Sequence, residues 1–189
     1  LNDLDDISKD QNLLSAINNY VHPFNSYSEV KVVYDDVGVI TIYVTHIYSD
    51  DDIKKINEEI DEIIEKNLSS NMDDRTKIKT IHDYIINNTK YDVIRKENGT
   101  SSYDSTKING VLFQGYGICS GYADTMAVFL DKLDIDNYKI SSDTHVWNAV
   151  NLDDKWYHLD LTWDDPISKN GTDSLVYNFF LVNSDTLIR

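Results

Sequence analysis

Apolar residues recur along this chain with two different periods, and the change of period divides it. Leu13, Leu14, Ile17, Tyr20 and Val21 fall three and four apart, the spacing of one helix face, and Pro23 closes the run. A second helical stripe, Ile53, Ile56, Ile60, Ile63 and Ile64, begins behind Ser49 and Asp50, either of which can cap it. A third follows Asp73 and Asp74, with Ile78, Ile81, Tyr84 and Ile85 on one side, and reads as a core-facing stripe. Between the first two helices, 29–34 and 37–47 are rich in Val, Ile, Thr and Tyr. Asp35-Asp36 separates them, which predicts a β-hairpin. From 92 to 117 the periodicity dissolves into Asn, Gly, Ser, Thr and Asp, a connection long enough to be functional or mobile. Asn98-Gly99 marks a turn within it. Tyr122, Met126, Phe129, Leu130 and Leu133 then restore helical spacing. Strands are predicted at 138–142, 145–151 and 156–161, with a closing strand at 177–182. Helices first and strands later give an α+β fold with an antiparallel sheet. No repeat and no second domain is visible.

Composition narrows the function. A chain of 189 residues is long enough to bury a real core in one domain. Its 33 acidic and 17 basic residues leave a formal charge of -16, which repels a polyanion, and no basic patch offsets this. Nucleic acid is thereby excluded as a partner. One cysteine precludes an internal disulfide, so the fold rests on its core. No run has the length of a membrane helix and no signal peptide is visible. The chain opens at Leu1 without a methionine, as a trimmed or mature form would. The five histidines show no metal-binding spacing, and the acidic runs 50–52 and 153–154 lack the spaced ligands of a calcium loop. No metal and no cofactor is expected.

The single cysteine, Cys119, stands in Gly117-Ile118-Cys119-Ser120-Gly121, directly before the helical spacing resumes. A thiol in the first turn of a helix meets the positive end of the helix dipole and unpaired N–H groups, both of which favour the nucleophilic thiolate. A lone cysteine is also commonly an inert packed residue. The flanking glycines argue against that, since they suit a sharp turn and a close approach of substrate. His145 and Asp160 follow, so nucleophile, base and orienting acid occur in that order. Asp153-Asp154 reads as a two-residue turn that pairs Leu152 with Lys155. That register sets His145 opposite Thr162 and Trp147 opposite Asp160. His145 and Asp160 then share a sheet face as diagonal neighbours, roughly 7–8 Å apart at the backbone. A slip of one residue would separate them. His158 shares the face nearer the turn and reads as a packed or surface residue; His22, His46 and His82 read as structural. Asp164 and Asp165, before Pro166, read as a solvated turn. Trp147 and Trp163 suit the shielding of a reactive site.

Four of these segments resemble, in order, the transglutaminase-like superfamily of papain-like thiol enzymes, particularly its bacterial secreted and cell-surface members. They are 79–85 with Tyr91-Asp92, 115–123, His145-Val146-Trp147-Asn148, and 155–160 continuing to Trp163-Asp164-Asp165-Pro166. The resemblance runs from 73 to 182. It implies a papain/transglutaminase-like fold, with the nucleophilic Cys at the N-terminus of a helix packed on an antiparallel sheet that carries His and Asp. It implies one domain over 1–189, with a helix, hairpin and helix in 1–70 and a catalytic core in 71–189. The catalytic residues it implies are Cys119, His145 and Asp160. The expected chemistry is acyl transfer on peptide amides through a thioester, ending in hydrolysis or in cross-linking to a lysine amine. Substrates would be peptides or proteins, including Gln and Lys side chains or cell-wall stem peptides, at an extracellular or cell-surface location. The backbone N–H of Cys119 is one oxyanion donor, and Gln114 is the nearest amide for a second. A peptide-binding module that keeps the fold without catalysis is the alternative. Acetyl transfer from a coenzyme lacks any phosphate-cradling loop.

Overall fold

The computed structural model describes residues 10–167 and 174–187. Its first helices are α1 (Gln11–Asn18), α2 (Asp50–Asn67) and α3 (Asp74–Asn88). Ser49 rather than Asp50 caps α2: its hydroxyl accepts the Asp52 N–H at 3.1 Å, and the Asp52 carboxylate accepts the Ser49 N–H at 3.1 Å. Asp73 caps α3 by accepting from the Thr76 N–H at 2.7 Å. The two isoleucine stripes bury as their spacing predicts. Ile56, Ile60 and Ile63 join Ile78, Ile81 and Ile85 in one apolar cluster, each worth roughly 1.5–3 kcal/mol when fully buried. The first helix falls short of its pattern. It stops at Asn18, and Tyr20, beyond the cap, is 70% exposed while Leu14 is 2% exposed.

The hairpin forms from β1 (Tyr27–Tyr34) and β2 (Ile40–His46). Its turn is longer than two aspartates: the Asp35 carboxylate accepts the N–H groups of Val37 and Val39, and Gly38 takes a φ of 86°. The second strand therefore starts at Ile40 instead of 37. Every residue of β2 is exposed, so the hairpin stands outside the core cluster.

The stretch from 92 to 117 holds more structure than its composition predicts. The two-residue strands β3 (Lys90–Tyr91) and β4 (Tyr116–Gly117) run parallel. Between them lie α4 (Val93–Asn98) and a π-type turn at Gly110–Gln114. Gly99, at φ 74°, terminates α4, as Asn98-Gly99 signals. The segment is bound internally. Ser105 Oγ donates to Asp92 at 2.7 Å, and Arg95 donates to Ser105 Oγ at 2.8 Å and to the Tyr103 carbonyl at 2.9 Å.

Next come α5 (Cys119–Lys132) and the antiparallel strands β5 (Asn137–Ser141), β6 (Val146–Leu152) and β7 (Lys155–Leu159), with β6 central. Leu152 pairs with Lys155, and Asp153 and Asp154 occupy positive φ, so the predicted turn and register both hold. Met126, Phe129 and Leu130 of α5 meet Val150 and Leu159 of the sheet in the core cluster. Two polar ties cross the same layer boundary: buried Asn148 donates to the Ala123 carbonyl at 2.9 Å, and Lys139 donates to Asp124 at 2.7 Å. Short helices α6 (Leu161–Asp164) and α7 (Ser184–Leu187) follow. The predicted closing strand reduces to a single bridge between His158 and Val182. Leu181, at φ 49°, turns the backbone out of an extended run. The architecture is α+β, with a helix on an antiparallel sheet.

Candidate active site

Cys119 is the first residue of α5, and the N-cap residue Ile118 contributes no side-chain acceptor. The first-turn N–H groups therefore keep their positive potential for the sulfur. Cys119 is partly exposed on the wall of a cleft of about 530 Å³. The flanking glycines have a different role from the expected one. A Cβ on Gly121 would lie 2.4 Å from the Ser105 carbonyl oxygen, and one on Gly117 would lie 2.9 Å from the Tyr122 ring. They let the 104–107 segment and Tyr122 press against the start of the helix; neither opens the floor to substrate.

His145 sits at the mouth of the turn between β5 and β6, where the Ser142 N–H donates to its carbonyl at 2.8 Å. Asp160 ends β7 and caps α6, accepting the Trp163 N–H through Oδ1 at 3.1 Å. Its other oxygen, Oδ2, lies 2.6 Å from His145 Nε2. With Nε2 committed to Asp160, Nδ1 is the ring nitrogen left for the Cys119 thiol, which lines the same cleft. Burial pulls the His145 pKa down, but the hydrogen bonds to Asp160 and Cys119 outweigh it and carry it from 6.5 to about 9. The indoles of Trp163 and Trp147 stack on the imidazole, with centroids 4.8 and 5.7 Å away, a placement that also favours a cation. The structure thus brings Cys119, His145 and Asp160 together. It departs from the predicted ladder in one respect. Pairing ends at Asn148 with Leu159, and the chain turns into α6 before Thr162 can oppose His145.

The other titratable residues fall elsewhere. His158 accepts the Trp147 indole N–H through Nδ1 at 3.0 Å and meets Ser184 through Nε2 at 3.1 Å. Burial lowers its pKa, which suits a neutral ring with an acceptor nitrogen. It braces a tryptophan and does not compete as the base. Asp164 and Asp165 are not a solvated turn: they are 0% and 8% exposed. Asp164 accepts from the Phe179 N–H at 2.8 Å and meets His82 Nε2 at 3.2 Å, and Asp165 accepts from the Tyr122 hydroxyl. These partners lie 15 to 82 residues away for the two aspartates, beyond the reach of any local reading. His82 is buried between Asp83 and Asp164, and His22 pairs with Asp131 at 2.7 Å; His46 is exposed on β2.

Gln114 does not line the cleft. Its side-chain Oε1 accepts the Asp104 N–H at 2.7 Å, which anchors the amide on the loop. Tyr91, by contrast, lines the cleft beside Cys119. Burial, then the charges of Cys119 and Asp92, push its pKa up, so its hydroxyl stays protonated and able to donate. The only sequence signal for it is its place in Tyr91-Asp92, which says nothing of a cleft. Among the described residues no group of three or more His, Cys, Asp or Glu is placed to hold a metal, and no helix is long and apolar enough to cross a membrane.

Comparison with known proteins gives this geometry a setting. The family model of the transglutaminase-like superfamily matches residues 61–161, just over half of the chain. No curated protein matches. Among solved structures, a TGase aligns with a TM-score of 0.54 at 17% identity, covering 84% of this chain and 48% of its own. A "putative cysteine protease" from Cytophaga hutchinsonii aligns with a TM-score of 0.42 at 14% identity, covering 71% of this chain and 61% of its own. The chain thus spans about half the length of the first structure it resembles, and that likeness is one of fold. The matched family segment contains all three residues that meet at the cleft. The chain belongs to the transglutaminase-like superfamily.

Proposed function

We propose that this chain performs acyl transfer on peptide amides through a thioester on Cys119. The observation that carries the reading is the imidazole of His145, which lines one cleft with Cys119 and is held from behind by Asp160 at 2.6 Å. The Cys119 thiolate attacks the amide carbonyl carbon, and the negative charge moves to the carbonyl oxygen. The backbone N–H of Cys119 at the start of α5 and the Tyr91 hydroxyl are the donors offered to that oxygen. The C–N bond then breaks, and protonated His145 gives its Nδ1 proton to the departing amine. Asp160 fixes the tautomer and stabilises the cation throughout. Water resolves the thioester in a protease or amidase, and a lysine amine resolves it in a cross-linking enzyme. In either case His145 takes the proton of the incoming nucleophile.

The test uses the single thiol as its own reporter. Alkylation of Cys119 by iodoacetamide, followed by intact mass, is expected to stay fast well below pH ~7 in the wild type and to be lost in His145→Ala. A single titration near pH ~8.5 in both proteins identifies an ordinary thiol and ends the reading. A Cys119→Ala variant separates the alternative: an enzyme loses turnover, whereas a peptide-binding module keeps its whole function.

A further inference from the structure

The lining of the cleft has an uneven chemistry. Trp163, Phe179, Pro166 and Ile167 make an apolar side, while Tyr91 and Lys96 stand on the segment that follows α3. Lys96 is the one lysine or arginine among the described lining residues, in a chain where acidic residues outnumber basic ones 33 to 17. Its ammonium lies 5.7 Å from the Tyr91 ring centroid, and Tyr91 in turn feels the charge of Cys119. The cation, the ring and the nucleophile therefore line one cleft.

Its neighbours make the placement informative. Arg95 is turned inward and held by Ser105 and the Tyr103 carbonyl; Lys79 is paired with Asp83, and Lys139 with Asp124. Lys96 forms no ion pair among the described residues. A cation in the last turn of α4 suits the helix dipole, but Arg95 already supplies one there. The dipole does not require an ammonium over Tyr91 at the edge of the cleft. The one carboxylate among the described lining residues, Asp165, is 8% exposed and accepts from the Tyr122 hydroxyl. A charge of -16 repels anions from the surface at large, and an anionic substrate needs a local cation to be held there.

We propose that the cleft selects amides that carry a carboxylate on the side of the reacting bond that meets Tyr91, and that Lys96 recognises this carboxylate, with the apolar wall of Trp163 and Phe179 holding the other side. The carboxylate is an acidic side chain or the carboxy terminus of a peptide. The proposal rests on Cys119 being the nucleophile of the cleft, and its test separates the two claims.

Iodoacetate and iodoacetamide attack the same sulfur and differ in charge. Their rate ratio at Cys119, divided by the ratio on free cysteine, cancels the thiolate fraction and reports the local field on an incoming carboxylate. The ratio is expected to fall about 3- to 10-fold in Lys96→Ala, to fall further in Lys96→Glu and to be restored in Lys96→Arg. A ratio unchanged in all three variants, with iodoacetamide still fast, overturns the role of Lys96 and leaves the thiolate reading standing. Failure of both reagents to label the wild type overturns both. Protection against iodoacetamide then distinguishes the source of the carboxylate. One probe is an acetylated, amidated dipeptide with a glutamate side chain; the other is an acetylated dipeptide with glutamine and a free carboxy terminus. The probe whose protection weakens in Lys96→Ala identifies the source. Equal protection by a fully neutral, amidated glutamine dipeptide, insensitive to Lys96, overturns the proposal.

Discussion

Asp160 divides its two oxygens between two tasks: Oδ1 caps α6 and Oδ2 holds His145 Nε2. The same carboxylate therefore orients the imidazole and is itself oriented by the helix it starts. The His145 pKa is raised in the folded protein, from 6.5 to about 9, so its protonated form is the one that folding favours. That contribution to stability is complete below pH 6.5 and is lost as pH rises through about 9. Protonated His145 is expected to persist across neutral pH and to lose its proton near the upper value. In Asp160→Asn the carboxylate partner is gone, the His145 titration moves down toward its ordinary range, and kcat falls by about 10³- to 10⁴-fold. An imidazole titration followed by NMR checks the first effect and a pH profile of turnover the second; an unmoved titration would refute the assignment. At this level the sequence is partly legible. Cys119, His145 and Asp160 are visible from residue type, order and turn register. The buried roles of Asp164, Asp165 and His82 are not, because their partners come from distant segments.

Helix α5 depends on how its first turn is held. Parallel pairing of β3 with β4 is set by Lys90 donating to the Gly115 carbonyl and Asp92 to the Gly117 carbonyl, both at 2.9 Å, and the Ile118 N–H donates to Ser105. Gly121 lets that loop backbone come close. In Gly121→Ala the new methyl meets the Ser105 carbonyl at 2.4 Å, so either the loop or the helix start must move. A loss of about 1–3 kcal/mol by chemical denaturation is expected, together with slower alkylation of Cys119. Gly38→Ala is the control. It sits at φ 86° in open space on the exposed hairpin, and is expected to cost about 1 kcal/mol with alkylation unchanged. Normal alkylation in Gly121→Ala would remove the loop from any part in placing the thiol. Element-level reading of the sequence worked where one face is buried, as in α2, α3 and the β6–β7 hairpin. It worked poorly from 92 to 117, where short pieces are stabilised by the Asp92–Ser105–Arg95 bonds and lack a period of their own.

Lys139 reaches across three parts of the molecule. From β5 it donates to Asp124 in α5 at 2.7 Å and to the Asn18 carbonyl at the end of α1 at 2.8 Å. Asp124 is buried, and desolvation raises its pKa despite the lysine. Removing Lys139 leaves that carboxylate uncompensated. Lys139→Ala is expected to lose about 3–5 kcal/mol, whereas Lys139→Met combined with Asp124→Leu is expected to be near neutral or stabilising. Denaturation midpoints of the single and double variants decide it; equal losses would show that the pair contributes through packing alone. The sequence by itself determined the helices with a buried isoleucine or α5 stripe, the β6–β7 turn, and the order of Cys119, His145 and Asp160. Each of these depends on periodicity or on neighbours within a few residues. Only the tertiary structure decided that the glycines serve packing, that Asp164 and Asp165 are buried, that the closing strand shrinks to one bridge, and that Tyr91 and Lys96 line one cleft with Cys119. Those outcomes depend on which distant surfaces meet, and a one-dimensional pattern carries no record of that.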